Sequence, residues 1–466
     1  MEIQFWIKLI ILLFALNLST VVMMQHRRPS DAWAWILVLI FVPVLGILLY
    51  YLFGFPAKDR PLITDERLQT LKSHTAPLQT KGEEGASHLI PLLQNVSQSY
   101  PTRGNGMKFH TTFADMYQTL KTDIQAARHH IHLEFFQIES DPVGDDLSTL
   151  LINKVKEGVE VRVIYDAAAC WLVPRSFYRR MQNGGVQVKA FNPIFPILSP
   201  FSNYRDHRKV VVIDGQIGYT GGMNIAERYL LGIRGGVWRD THIRLTGPSV
   251  SELQTAFLSD WQFTRKEWIN DDVYYPEPLP SNQNLLVQII SSNPTDLWRV
   301  MDLSISQTIF MSRRYVYLQS PYFLPSEAIR SALFSAALSG IDVRVMIPTR
   351  PDKGHVTINA SRWYVEQMLQ AGVRFYFYDN GYMHSKTIVT DDFITSIGSV
   401  NIDSRSLSQA FEIDAFIYDR EVALHQKQLF LEDTKYCHEL NLETWQQRPR
   451  WERVKESFCR LLAPLL

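Results

Sequence analysis

The chain opens with two apolar runs. Ile3 to Met24 is interrupted mainly by Lys8 and by Asn17, Ser19 and Thr20, and Trp33 to Phe53 forms the second run. Each is close to the ~20 residues that an α-helix needs to cross a bilayer. Between them lies the polar turn Gln25-His26-Arg27-Arg28-Pro29-Ser30-Asp31. Trp33 and Trp35 at one end of the second run, and Tyr50 and Tyr51 at the other, suit interfacial anchoring. Pro43 and Gly46 are tolerated inside a membrane span. The pattern predicts a two-helix transmembrane hairpin over residues 1–56. A cleaved signal peptide fits less well, because the first run lacks a basic start and a second run follows at once. A hairpin returns the chain to its starting side. Arg27 and Arg28 in the turn, set against Lys58, Arg60, Arg67 and Lys72, favour a cytoplasmic body.

A polar linker with little periodicity, residues 57–106, leads into a globular pattern. Phe113, Met116, Tyr117, Leu120, Ile124 and Ala127 recur at helical spacing. A strand follows from His130 to Phe136, then a helix from Asp145 to Glu157, stopped by Gly158. The apolar run Val159 to Tyr165 predicts a buried strand, Arg175 to Asn183 a helix, and Val186 to Phe191 a further strand. The same order then returns: helix Val300 to Ile309, strand Tyr315 to Gln319, helix Glu327 to Leu338, strand Ile341 to Ile347, helix Ser361 to Gln370 and strand Val373 to Tyr378. Strand–helix–strand alternation of this length implies an α/β fold of mostly parallel sheets covered by helices. Two copies imply two similar domains, 107–275 and 281–436, joined at the Pro-rich Tyr275 to Pro280. Residues 437–466 form a tail, in which Trp451, Val454, Phe458, Leu461 and Leu462 recur at helical spacing among Arg450, Arg453, Lys455 and Arg460. Such a helix suits either a membrane interface or the core of the body.

Composition narrows the class. With 466 residues, 46% of them hydrophobic, the chain can bury a large core, so disorder is excluded. Lys+Arg 47 against Asp+Glu 47 excludes a protein built to coat nucleic acid. The cysteines Cys170, Cys437 and Cys459 are too scattered for a disulfide framework or a cysteine zinc site.

Each copy carries one polar motif. The first has His207-Arg208-Lys209, then Asp214, then Gly221-Gly222-Met223-Asn224; the second has His384-Ser385-Lys386, then Asp391, then Gly398-Ser399-Val400-Asn401. Residues two apart on a strand share a face. Each copy thus presents an imidazole, an ammonium and an amide on one patch. Two such patches across a cleft suit phosphodiester chemistry without a metal or cofactor. One imidazole attacks phosphorus and the other protonates the leaving alkoxide. Lys209, Lys386, Asn224 and Asn401 are placed to hold the non-bridging oxygens. Asp240 and Glu412 each open a predicted strand and are the candidates for orienting the histidines. Asp214 and Asp391 belong to the same motifs, but their position before a turn suits local stabilisation better. A metal site is not expected, since no further His/Asp/Glu cluster adjoins either motif.

These residues resemble the paired HKD motifs of the phospholipase D superfamily, over roughly residues 110–430. The amino-terminal pattern Arg28-Pro29, Ala32 to Ile36, Pro43 to Gly46 and Leu49 to Gly54 resembles the membrane segment of bacterial cardiolipin synthases. Asn203 to Lys209 resembles the first motif of those enzymes, and Leu461 to Leu466 resembles their tail. The resemblance implies two phospholipase D-like domains related by a pseudo-twofold, and a phosphatidyl transfer that makes cardiolipin and glycerol from two phosphatidylglycerols. It implies His207 as nucleophile and His384 as acid and then base, in a multi-pass protein of the bacterial inner membrane. The partners expected are phosphatidylglycerol, cardiolipin and the bilayer, with no nucleic acid; the oligomeric state stays open. A membrane-tethered phospholipase D hydrolase or nuclease is the alternative, and an inactive scaffold is disfavoured by two intact motifs. The apolar, Pro-broken Phe191 to Phe201, just before His207, suits a lipid-facing lip. The halves differ at Glu134, where the second copy has Gln319.

Overall fold

The computed structural model describes residues 2–25, 29–54, 63–74, 85–193, 204–233, 236–350 and 355–461. The first apolar run is one continuous helix, Glu2–Met24, and its stretch Gln4–Met24 is long and apolar enough to cross a membrane. The second run is not a single helix. It divides into Pro29–Phe41 and Pro43–Leu49, followed by a π-helical turn Tyr50–Gly54. Pro43 has no N–H to donate and its ring crowds the preceding turn. Val42 accordingly leaves helical geometry, at φ −134° and ψ 60°. The expected hairpin is therefore represented by one helix of spanning length and one broken at its proline. Val22, Ile36, Leu39 and Tyr50 pack together, and Gln25 Nε2 donates to the Tyr50 hydroxyl at 2.9 Å.

Within the stretch read as a linker, helices Asp65–Lys72 and Leu89–Ser97 form. Leu89, Ile90 and Leu93 of the second are buried in the core of the C-terminal half. The polar composition hid this short apolar face.

The strands of the N-terminal half are β1 (Thr102–His110), β2 (His130–Phe135), β3 (Glu160–Asp166), β4 (Gln187–Phe191), β5 (Arg205–Asp206), β6 (Lys209–Ile213), β7 (Ile217–Gly221), β8 (Val237–Arg239) and β9 (His242–Thr246). Those of the C-terminal half are β10 (Leu285–Ser292), β11 (Tyr315–Gln319), β12 (Asp342–Pro348), β13 (Arg374–Tyr378), β14 (Gly381–Met383), β15 (Thr387–Thr390), β16 (Ile394–Gly398), β17 (Ala410–Tyr418) and β18 (Cys437–Glu439). Sixteen of them form one sheet, in the order β18-β13-β12-β11-β15-β16-β17-β10-β1-β9-β7-β6-β2-β3-β4, with β5 added beside β17.

Pairing is parallel in β2-β3-β4 and β11-β12-β13, where helices cross between strands. Those helices are Pro142–Lys156 and Arg175–Asn183 in the first triplet, and Glu327–Leu338 and Val356–Gln370 in the second. The expectation of parallel sheets holds for these triplets and not for the centre. There, hairpin turns join β6 to β7 and β15 to β16, and the ladder runs antiparallel. The helix Ser249–Arg265 covers this centre, with Val250, Leu253 and Ala256 against Val210, Val212, Val287 and Ile413. The tail is not wholly separate from the body: β18 pairs with β13, and Trp445 enters the core. The Phe191 to Phe201 segment lies mostly outside the described residues, as do Arg27, Arg28, Lys58 and Arg60.

Candidate active site

Each histidine is delivered by a strand that borrows its neighbour from the other half. β5 runs parallel to β17, pairing Arg205 with Ala410 and Asp206 with Phe411, and the His207 amide donates to the Phe411 carbonyl at 2.9 Å. β14 runs parallel to β8, pairing Tyr382 with Trp238 and Met383 with Arg239, and the His384 amide donates to the Arg239 carbonyl at 2.7 Å. The residue after Phe411 is Glu412, and the residue after Arg239 is Asp240. Backbone register thus places each acid beside the histidine of the opposite half.

The contacts follow from that register. His207 Nδ1 lies 3.0 Å from Glu412 Oε1 and 3.1 Å from Oε2. His384 Nδ1 lies 2.6 Å from Asp240 Oδ2. A carboxylate on Nδ1 holds a ring proton there and leaves Nε2 for the chemistry. Ser399 Oγ donates to Glu412, and the Thr241 amide donates to Asp240 Oδ1 at 2.8 Å. The glycine of the first motif's turn has a direct cause: a Cβ on Gly222 would meet Asp240 Oδ1 at 2.0 Å.

Both histidines line one cavity of about 950 Å³. Asn224 and Asn401 line it too, with Arg205, Arg228 and Arg405 supplying positive charge. Asn224 Nδ2 donates to the Tyr229 hydroxyl at 2.7 Å, and its Oδ1 accepts from the Gln137 amide at 3.2 Å. Trp171, Leu172, Val173 and Pro174 give the cavity an apolar wall. It therefore combines a polar floor with a greasy side, which suits an amphiphile carrying a phosphate.

The lysines sit deeper than the spacing implies. Lys209 Nζ donates to the His207 carbonyl at 2.6 Å, and Lys386 Nζ lies 2.9 Å from His384 Nδ1. Both side chains are buried behind the histidines.

Burial and this charge set the protonation states. Burial, then the charges of Lys209 and Lys386, push His207 well below the usual histidine range. Burial and Lys386 bring His384 down to about 4, against the pull of Asp240. Burial lowers Lys209 to about 7 and raises Glu412 to about 7, the latter opposed by Lys209 and Ser399. Asp240 behaves differently. Burial raises it, but Lys386, His384 and the Thr241 amide together hold it below the usual carboxylate range. The two histidine–acid pairs are thus geometrically alike and electrically unequal.

Asp214 and Asp391 are not brought into this constellation. They lie at the ends of β6 and β15 away from the histidines. Asp214 accepts from the amides of Arg128 at 2.8 Å, His129 at 2.7 Å and His130 at 2.9 Å. Asp391 accepts from those of Arg313 at 2.6 Å, Arg314 at 2.8 Å and Tyr315 at 3.1 Å. Each carboxylate fastens the start of the neighbouring strand, β2 or β11.

Sequence reasoning missed the supports. Arg208 Nε donates to the Glu412 carbonyl at 3.2 Å and its Nη2 to the Ser292 carbonyl at 2.9 Å, while Nη1 pairs with buried Asp260. Arg239 Nε bonds Asp433 at 3.0 Å and its Nη1 the Asp240 carbonyl at 2.6 Å. Each arginine steadies an orienting acid, and neither has a distinctive spacing in the chain. The rings of Trp238, Tyr229 and Tyr382 surround His384 at 5.3, 5.9 and 5.8 Å between centroids, and Phe136 meets His207 edge-on at 4.9 Å.

Comparison with known proteins agrees with this architecture. The family described as "Cardiolipin synthase, PLD-like domain" matches residues 120–261 and 305–434, and "Phospholipase_D-nuclease N-terminal" matches residues 9–54. The "Major cardiolipin synthase ClsA" of Bacillus subtilis is 40% identical, over 98% of this chain and 99% of that protein. A cardiolipin synthase of Staphylococcus aureus is 36% identical, over 97% of this chain and 95% of that protein. Among solved structures, phosphatidylserine synthase of Haemophilus influenzae shares the fold, with a TM-score of 0.63 and 13% identity over 81% of this chain and all of that one. With its apolar first helix, this is a membrane-associated bacterial protein. The chain belongs to the bacterial cardiolipin synthases of the phospholipase D superfamily, phosphatidyltransferases whose product is cardiolipin.

Proposed function

We propose that the enzyme joins two phosphatidylglycerols into cardiolipin and free glycerol through a phosphatidyl-histidine intermediate. His207 Nε2 attacks the phosphorus of the first lipid. The bond from phosphorus to the glycerol headgroup oxygen breaks, and that oxygen takes a proton from His384. The headgroup hydroxyl of a second phosphatidylglycerol then gives its proton to His384 and attacks the same phosphorus. The P–N bond breaks, cardiolipin leaves and His207 is restored. The observation that carries this reading is the pair of crossed histidine–carboxylate contacts at one cavity.

The inequality of the two acids supports the assignment of roles. A nucleophile must be neutral, and His207, backed by the weaker acid partner, stays so. His384 must carry a second ring proton before the first step, and the fixed negative charge of Asp240 favours that form against the opposing pull of burial and Lys386. Asn224 and Asn401, with the cavity arginines, hold the phosphate oxygens; Lys209 and Lys386 contribute positive charge from behind the rings.

The same reading takes residues 107–275 and 281–436 as two units related by a pseudo-twofold, supported by the matching β5–β17 and β14–β8 pairs. It takes residues 1–56 as a membrane hairpin, supported by the packing of Val22 against Ile36 and Leu39, with the body on the cytoplasmic side as the loop charges favour. The test is purified protein given phosphatidylglycerol alone. Equal amounts of cardiolipin and glycerol are expected. Phosphatidic acid as the sole phospholipid product overturns the transfer in favour of hydrolysis.

A further inference from the structure

The helix Arg450–Leu461 is amphipathic in the reverse sense to a helix docked on a protein core. Its apolar residues Trp451, Val454, Phe458 and Leu461 are 64%, 68%, 64% and 67% exposed. Positions spaced i, i+3, i+7 and i+10 fall on one face. The opposite face turns inward and is polar or small: Glu456 is buried and paired with Arg448, and Cys459 packs against Leu324 and Ala360. The helix lies on Val356–Gln370, with Arg453 reaching Glu366 at 3.5 Å and the Arg460 guanidinium 4.0 Å from the centre of the Trp363 ring. A helix that buries Glu456 and Cys459 and offers its aromatics outward is built for a non-aqueous partner.

Two features identify that partner as a lipid surface. Cations border the apolar stripe: Arg450, Arg453 and Lys455 sit on its flanks, exposed. Basic flanks around a Trp/Phe stripe match the headgroup and acyl layers of an anionic bilayer. The stripe also lies near the catalytic cavity. Thr357, in the first turn of the supporting helix, lines that cavity, as do Asp403, Arg405 and Ser406. The same short segment continues to Leu407 and Ser408, which share a second cavity with Arg460 and Leu461. Trp171 and Leu172, exposed at the wall of the catalytic cavity, add apolar surface at its opening.

We propose that the helix Arg450–Leu461 lies in the interface of an anionic phospholipid bilayer, Trp451, Val454 and Phe458 among the acyl chains, and holds the catalytic cavity against the membrane. This adds a second, peripheral contact to the tether of the first helix. It extends the proposed lipid chemistry, but the binding itself does not depend on which reaction follows.

The test places the photocrosslinker p-benzoylphenylalanine at position 458 of the full-length protein in phosphatidylglycerol-containing vesicles, with position 13 of the apolar first helix as reference. A lipid adduct at both positions is expected. An adduct between two copies of the chain at 458 overturns the proposal in favour of a dimer interface. Lipid labelling at 13 alone overturns it outright. In parallel, Trp451→Ser/Val454→Ser/Phe458→Ser is assayed. Turnover of vesicle-embedded substrate is expected to fall about tenfold, with the melting temperature and turnover of a monodisperse short-chain substrate unchanged. An equal fall on both substrates overturns the docking role. Crosslinking reads out even if the wild type makes no cardiolipin, so the two proposals fail separately.

Discussion

His384 Nδ1 and Asp240 Oδ2 are 2.6 Å apart and separated by 144 positions in the chain. The mirror contact joins His207 to Glu412 across 205 positions. Neither half is complete by itself, since each holds the acid that orients the other's imidazole. Folding of the two halves against each other is thus what brings the two histidine–acid pairs together.

Asp240→Asn removes the fixed negative charge and the tautomer control at His384. We expect turnover to fall by about 10³-fold, by analogy with amide substitutions at orienting acids, while the melting temperature changes little. Glu412→Gln should cost less, about 10- to 100-fold, because Glu412, raised to about 7 by burial, is already partly protonated near neutrality. Steady-state cardiolipin synthesis, with melting curves on both variants, checks the order.

His207→Ala should abolish both turnover and any covalent phosphatidyl adduct. His384→Ala should also stop turnover, but it keeps the nucleophile, so a slow-forming adduct on His207 is expected. Mass spectrometry of acid-stable and acid-labile peptides after quenching tells them apart. An adduct on His384 in the wild type reverses the assignment.

The buried Glu412 carboxyl makes stability depend on pH. In the folded protein it holds its proton up to about 7, and in the unfolded chain only to its ordinary value of 4.5. Between those values the native state binds more protons, so this group's contribution to stability falls as pH rises. Glu412→Gln carries no such penalty. Relative to wild type it should gain stability from pH 4.5 to 7, on the order of 3 kcal/mol in full. Denaturant unfolding at four or five pH values across that window measures the divergence; parallel curves would remove the assignment.

Arg208 serves three elements at once, bonding Asp260, the Ser292 carbonyl and the Glu412 carbonyl. Its charge also offsets Glu134 and Asp206, two buried carboxyls nearby, both held well above the usual carboxylate range by burial and by neighbouring acids. Arg208→Met leaves these acids without their cation. A loss of about 3–5 kcal/mol in unfolding free energy is expected, read by denaturant titration.

Asp214→Asn should weaken the start of β2 without touching the chemistry. A loss of about 1–3 kcal/mol is expected from the unsatisfied amides, with specific activity per folded molecule retained. Activity lost with no change in stability would place Asp214 in the chemistry instead.

Residue spacing along the chain was enough for the duplicated strand–helix series, the two motifs and the kind of reaction they suit. These are local patterns: periodicity, and residue types two or four apart, follow from backbone geometry alone. Asp240 and Glu412 were legible as acids expected to open strands, although Asp240 lies between β8 and β9 and Glu412 within β17. Which histidine each would serve was not, because β5–β17 and β14–β8 are pairings between distant segments. The depth of the lysines, the three amides held by Asp214 and the reach of Arg208 depend likewise on which strands become neighbours. The break at Val42 came from a proline whose effect the hydropathy of the run concealed. The helix Arg450–Leu461 had two readings in the chain, core or interface, and only tertiary packing shows that its aromatic face turns outward. Spacing tells which residues share a face; the rest of the fold decides what that face meets.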